Sequence, residues 1–302
     1  MREINSEYIN FVDRNGKLSS DSWIDGERIG KPDVNGLRIV YMPNYYSWGS
    51  PCNLLKKDNR LMSKIWLRYI LNVNGYSDDM DISYTDENRL IKVQNLDGLW
   101  NFMNMNGEFV SNRWFKQVKK FVNGFSIVKN KDDKRNYINT DGKLIMNKWM
   151  QNVADFSQNG FAIIENGNGK VNLINAQGEI LSDKWFSAIH NEQEGFFVVV
   201  DRSPSGKSVY NFIDETGKLL SEEWFEYAGD FIYGVALVQR KTDRLYNFIN
   251  KNGDMISEEW FLLAYDDGNK DYVRVENTNG LWNFLNRKTG EPKYKTWKRR
   301  FE

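Results

Sequence analysis

The sequence predicts an all-β repeat protein. Three observations carry that prediction: an Asn–Trp frame that returns eight times, turn chemistry at a fixed offset within it, and the lack of any sustained helical period. The Asn falls at Asn10, Asn53, Asn101, Asn136, Asn172, Asn211, Asn247 and Asn283, in steps of 43, 48, 35, 36, 39, 36 and 36 residues. A Trp follows thirteen residues later in seven copies, at Trp23, Trp66, Trp114, Trp149, Trp185, Trp224 and Trp260; the eighth, Trp297, comes one residue late.

Within a copy, the stretch YNFIDETGKLLSEEWF (Tyr210 to Phe225) shows each element in order. A short β-favouring run ends in Asp or Asn, and Gly follows three residues later, as at Asn104/Gly107, Asn139/Gly142, Asn175/Gly178, Asp214/Gly217 and Asn250/Gly253. Asp or Asn opens a tight turn, and Gly takes the left-handed position that closes it. Asn59 stands in for Gly in the second copy, and Asn is the residue best able to do so. A second apolar run comes next, for example Lys218-Leu219-Leu220. Ser then lies three residues before the Trp in six copies, from Ser20 to Ser257, and reads as a tight turn or one capped turn of helix. Beyond the Trp lies a small apolar residue (Val118, Val153, Ala188, Ala228, Ala264). A Gly then opens a third run, as in Gly124-FSIV, Gly160-FAII, Gly195-FFVV and Gly234-VALV. Three strands and a candidate fourth therefore alternate with turns.

A unit of about 36 residues is too small to bury its own core and must stack on neighbours, so residues 1–302 read as one continuous array. Eight hairpins with seven intervening third runs favour a propeller-like array whose ends complete one another, with an open solenoid-like stack as the alternative. The irregular linkers are 24–52 and 67–99.

Lys and Arg equal Asp and Glu at 41 each, which leaves no electrostatic footprint for nucleic acid or a membrane surface. The basic end, Lys295, Lys298, Arg299 and Arg300, reads as a solvated tail. Cys52, the single cysteine, excludes an internal disulfide framework and fits a reducing compartment. The N-terminal stretch carries no secretion signal, and no run approaches the roughly 18 apolar residues of a membrane span. The expected location is cytoplasmic.

These residues resemble the WG-repeat family, whose units carry a Trp-Gly pair opening a strand, an Asp/Asn-x-x-Gly turn, and an F-x-x-G-x-A-x-V stretch. Trp100 and Trp282, in GLWNF, occupy the Trp place. Ala228, Phe231, Gly234, Ala236 and Val238 match the last stretch, and the resemblance runs from about residue 8 to residue 297. The family's Gly is Asn in all eight copies here. Gly and Asn both tolerate positive φ, so a left-handed or bulged backbone at Asn211 and its equivalents is the expectation. The resemblance implies binding or scaffold modules of bacteria and their phages, and it implies no catalytic activity.

No familiar catalytic or metal constellation emerges from the sequence. His190 is the only His, so neither a zinc site nor a Ser-His-Asp or Cys-His arrangement has its parts. Asn166-Gly167-Asn168-Gly169-Lys170 lacks the spacing of a phosphate loop and reads as a hairpin turn. Asp78, Asp79, Asp81, Asp86 and Glu87 crowd one linker without the pattern of a calcium loop. The repeated Trp is expected to pack between units. The stretch YMPNYYSWGSPC has no counterpart in later copies. Its Tyr45, Tyr46 and Trp48, together with Tyr41, form either a lid or an aromatic anchor for a protein or glycan. The expected function is a non-catalytic, protein-binding scaffold without cofactor. Carbohydrate binding is the alternative, and a hydrolase on a propeller-like scaffold ranks below it.

Overall fold

Local turn chemistry and short β-favouring runs predict strands, and strands are what the chain forms. The computed structural model describes residues 8–10, 23–26, 28–32, 35–43, 50–70, 90–190 and 192–299, and among these there is no helix. The chain divides into two compact units, Met1–Gly160 and Phe161–Glu302. In the first, β1 (Tyr8–Ile9) pairs with β2 (Ile24–Asp25), and β3 (Arg38–Tyr41) with β4 (Cys52–Leu55). Two three-stranded antiparallel meanders follow. They are β5 (Tyr69–Ile70), β6 (Ile91–Gln94) and β7 (Trp100–Met103), then β8 (Gln117–Val122), β9 (Phe125–Lys129) and β10 (Arg135–Asn139), after which comes β11 (Asn152–Val153).

The second unit opens with the pair β12 (Phe161–Glu165) and β13 (Val171–Asn175). Its meanders are β14 (Ala188–Ile189), β15 (Phe196–Arg202) and β16 (Ser208–Asp214); β17 (Tyr227–Ile232), β18 (Val235–Gln239) and β19 (Tyr246–Asn250); and β20 (Leu263–Tyr265), β21 (Tyr272–Glu276) and β22 (Trp282–Asn286). The chain is thus an all-β repeat architecture of propeller-like antiparallel meanders. Each sheet begins just after the Trp and ends on the next Asn strand, so the sheet straddles the sequence unit.

The second apolar run, read as a strand, pairs only in fragments. After β16 turns at Asp214–Lys218, the return arm bridges the strand at Ile213↔Leu219 and again at Tyr210↔Phe225. Six residues of arm span three of strand, so the arm bows outward at the Ser-x-x-Trp bend. The Ser hydroxyl accepts the N–H two residues on, as Ser221 does from Glu223 at 3.1 Å, and no helical turn forms.

Asn211 fills the gap that the bow opens. It lies in β16, fully buried, and is not among the residues with positive φ. Its Nδ2 donates to the carbonyls of Ser221 (2.7 Å) and Glu223 (3.1 Å), while Oδ1 accepts the Phe212 N–H (2.7 Å). Asn53, Asn101, Asn136, Asn172 and Asn247 make the same set, and Asn283 a shortened version on Tyr294. The expectation of a left-handed backbone at this Asn is therefore corrected. Two donors and an acceptor on one short side chain replace ladder hydrogen bonds that the bowed arm cannot supply.

The turns follow the sequence reading. Gly107, Gly142, Gly178, Gly217 and Gly253 hold φ between 76° and 92°, and Asn59 substitutes at 61°. Neighbouring repeats add a second requirement. A Cβ on Gly217 would lie 2.1 Å from the Leu181 carbonyl oxygen, and one on Gly142 would lie 1.8 Å from that of Val110.

Each core cluster lies between two successive sheets. In the second unit, Val198, Phe212 and Phe225 of one meander meet Ala228, Phe231, Val238 and Ile249 of the next. In the first, Phe102 and Phe115 meet Val118, Phe121, Val128 and Ile138. A bulge between Val118 and Phe121, repeated between Ala228 and Phe231, turns both residues of each pair to the same face. Ile189, buried opposite Val199, takes the small-apolar place, so the sequence assignment of Ala188 to it is one residue early. The repeated Trp does pack on the preceding cluster, as Trp224 does 6.4 Å from Phe186, but it stays half-buried. The deeply buried side chain is the next one, Phe225 at 0% exposure.

Candidate functional site

The aromatic loop is carried by a hairpin. Tyr41 pairs with Cys52, and the Met42 N–H donates to the Pro51 carbonyl at 2.8 Å, so the chain between them forms the tip that joins β3 to β4. The same connection elsewhere takes five or six residues, as between Glu165 and Val171 or Gln239 and Tyr246. Tyr45, Tyr46 and Trp48 themselves lie outside the described residues, as do Asp78, Asp79, Asp81, Asp86 and Glu87. At the base of the loop, the Arg28 guanidinium lies 4.2 Å from the Tyr41 ring centroid and Nη1 donates to Ser50 Oγ at 3.2 Å. Burial raises the Tyr41 phenol above its ordinary value, with Cys52 adding to the rise and Arg28 opposing it.

Groups with chemical potential elsewhere are already engaged. Burial pushes the Cys52 thiol up to about 12, which leaves almost no thiolate at neutral pH. The Lys92 ammonium donates to the Val118 carbonyl at 2.9 Å and lies 4.6 Å from the Trp100 ring, and burial lowers its pKa. Lys170 Nζ reaches Ser187 Oγ at 2.9 Å, the spacing of a Ser–Lys pair. It is also 2.8 Å from Asp201, whose other oxygen is 3.0 Å from Lys184. Burial works to raise Asp201, but the bonds from Lys170, the Arg202 N–H and Lys184 outweigh it and bring the pKa to about 2. Lys170 thus lies in an ion pair with Asp201 beside the Ser187 hydroxyl.

Asn166-Gly167-Asn168-Gly169-Lys170 is the β12–β13 turn. Asn166 Oδ1 accepts the Asn168 and Lys170 N–H groups, and Gly169 holds φ at 71°. His190 is exposed, with its backbone bonded to Val198. No group of three or more His, Cys, Asp or Glu side chains with metal-binding geometry occurs among the described residues. No helix among them is long and apolar enough to cross a membrane.

Exposed apolar side chains concentrate on first strands. Tyr69 of β5 and Tyr227 of β17 share one repeat position; Ile232 ends β17, Tyr233 forms its turn, and Leu262 and Tyr265 flank the start and end of β20. The first strand is an edge strand in each meander, with the Val118 carbonyl of β8 accepting from Lys92 and the Ile232 carbonyl of β17 from Arg287. In the sequence these strands showed only as one small apolar residue ahead of a Gly, which left them the candidate fourth strand.

The fold and surface define a class, an all-β repeat protein with exposed aromatics on edge strands. No family model and no curated protein matches the chain. Among solved structures it is similar to the WD40 β-propeller domain of Doa1, at 15% identity over 85% of this chain and 90% of that one, with a TM-score of 0.26. It is also similar to BamB from Moraxella catarrhalis (10% identity, 97% and 90% covered, TM-score 0.26) and to the computationally designed Ika8 protein (12%, 85% and 83%, TM-score 0.29). At these scores the likenesses carry no argument about function.

Proposed function

We propose that this chain is a non-catalytic interaction module of the WG-repeat kind that binds protein in the cytoplasm, without a cofactor. The observation that supports the reading is the placement of exposed Tyr and Ile side chains on edge strands, at Tyr69, Tyr227, Ile232 and Tyr265. Rigid aromatics on a sheet edge are what a protein partner uses, either by adding a strand or by covering the rings. Tyr45, Tyr46 and Trp48, between β3 and β4, are the aromatic anchor that the sequence offers for such a partner.

The test pairs stability with binding. A Tyr45→Ala/Tyr46→Ala/Trp48→Ala variant is expected to keep the wild-type melting temperature and lose the protein captured from the native host. Melting far below wild type assigns the loop to a lid. Retained stability and retained capture move the binding surface to the edge strands, where Tyr227→Ser is the next variant. Binding to a glycan array, abolished by the triple variant, replaces the protein reading with the carbohydrate one.

A further inference from the structure

The C-terminal sheet departs from the other copies at two of three positions on one face. Two register positions and the residue after the Trp face the next sheet. The residue opposite the position after Asn is Ile39, Ile127, Ile163, Val198 or Leu237 in five copies, Lys92 in one internal copy, and Arg274 in the last. The return-arm residue whose N–H donates to that strand is Met62, Val110, Ile145, Leu181, Leu220 or Ile256, and Lys293 in the last. The residue after the Trp is Ile24, Leu67, Phe115, Met150, Phe186, Phe225 or Phe261, each buried, and Lys298 in the last, exposed. At two positions this face has exchanged apolar side chains for cations found there in no other described copy, and Arg274 adds a third, as Lys92 does in an internal copy.

An exposed sheet face needs polar side chains for solubility, and mixed charge would serve that need. Here both lysine substitutions share one sign with Arg274, and the aromatic ground is kept. Lys293 Nζ lies 4.9 Å from the Tyr272 ring centroid and 5.7 Å from that of Phe284. Lys298 Nζ lies 4.8 Å from Tyr294, and Arg274 lies 4.8 Å from Tyr265 and 5.3 Å from Trp282. Phe284 is only partly buried where Phe212 and Phe248 are fully so. Arg274 already holds a carboxylate, that of Asp267 at 2.9 Å. Among the described residues neither Lys293 nor Lys298 has a carboxylate within ion-pair distance.

We propose that the outward face of β20–β21–β22 docks an acidic, extended segment of a protein partner, with Lys293 and Lys298 pairing its carboxylates over the Tyr272, Phe284 and Tyr294 rings. In the copies before it this face receives another β layer, which favours a strand as occupant, and Asp267 on Arg274 displays the carboxylate chemistry the face accepts. The assignment rests on the protein-binding reading and narrows it to one surface.

The experiment uses the full chain and a fluorescein-labelled peptide of alternating Glu and Val, with an alternating Lys–Val peptide and oligothymidylate as controls. Expected is salt-sensitive binding of the Glu–Val peptide alone, weakened at least tenfold in Lys293→Glu/Lys298→Glu at unchanged melting temperature. Lys293→Arg/Lys298→Arg should retain it. No binding of the Glu–Val peptide, or equal binding by wild type and the Glu variant, overturns the proposal. Preferential binding of oligothymidylate overturns it in favour of nucleic acid. If the Glu variant still captures the native partner as wild type does, the general protein-binding reading stands and this face is not its surface.

Discussion

At the residue scale the repeated Asn decides most. Asn211 holds two carbonyls and one N–H that have no other partner in the bowed hairpin, and each buried polar group left unsatisfied costs about 1–3 kcal/mol. Asn211→Gly and Asn211→Val are therefore both expected to lose roughly 2–4 kcal/mol, read as a lower denaturant midpoint at unchanged slope. A Gly variant as stable as wild type would return the position to a backbone role. Asp201 gives the pH counterpart. Its pKa falls from an ordinary 3.8 to about 2, so its contribution is present above pH 4 and is lost as pH drops toward 2. With Lys170 and Lys184 partly exposed, solvent screening reduces that contribution to about 1–2 kcal/mol. Asp201→Asn should lose this much at pH 7 and show a shallower acid limb; an unchanged pH–stability curve would remove the linkage.

At the element scale the turn glycines separate two causes that sequence cannot distinguish. Gly217 and Gly234 hold nearly the same φ, 82° and 87°. An added Cβ meets the Leu181 carbonyl at 2.1 Å in the first case and nothing within 4 Å in the second. Gly234→Ala should cost about 1–2 kcal/mol, the expense of a left-handed L residue, and Gly217→Ala about 3 kcal/mol or more because the neighbouring repeat must move as well. Equal losses in a paired denaturant series would show that close approach contributes nothing. The Asp/Asn-x-x-Gly turns were legible because a turn is a local event written in adjacent residues. The first strands showed only as a candidate fourth, since β14 and β20 are short and take their partners from a Gly-led run further along.

At the scale of the whole molecule, stability is shared between successive sheets. Phe212 and Phe231, with ring centroids 5.0 Å apart, belong to different meanders, as do Phe102 and Phe121 at 4.8 Å. Within the second unit, β18 is covered on both faces, while the outward face of β21 carries Arg274 and half-buried rings. Amide exchange should therefore be slower in β18 than in β21. The reverse order would mean that the last sheet is more fully packed than its surface exposure indicates.

The sequence by itself determined the all-β class, the eightfold frame, the turns with their Gly and Asn59, and the Trp-bearing bend. All of these depend on contacts within a few residues or on strict repetition. Only the tertiary structure decided that Asn211 bonds across a bowed arm, that Phe225 is buried more deeply than Trp224, and that Lys293 and Lys298 share a face with Tyr272 and Phe284. Gly and Asn are interchangeable by φ preference alone, so the choice between backbone freedom and side-chain bonding waits on a hairpin partner ten to twelve residues away. Which face a residue turns to depends on register and on bulges such as that between Ala228 and Phe231, and these exist only once strands have paired.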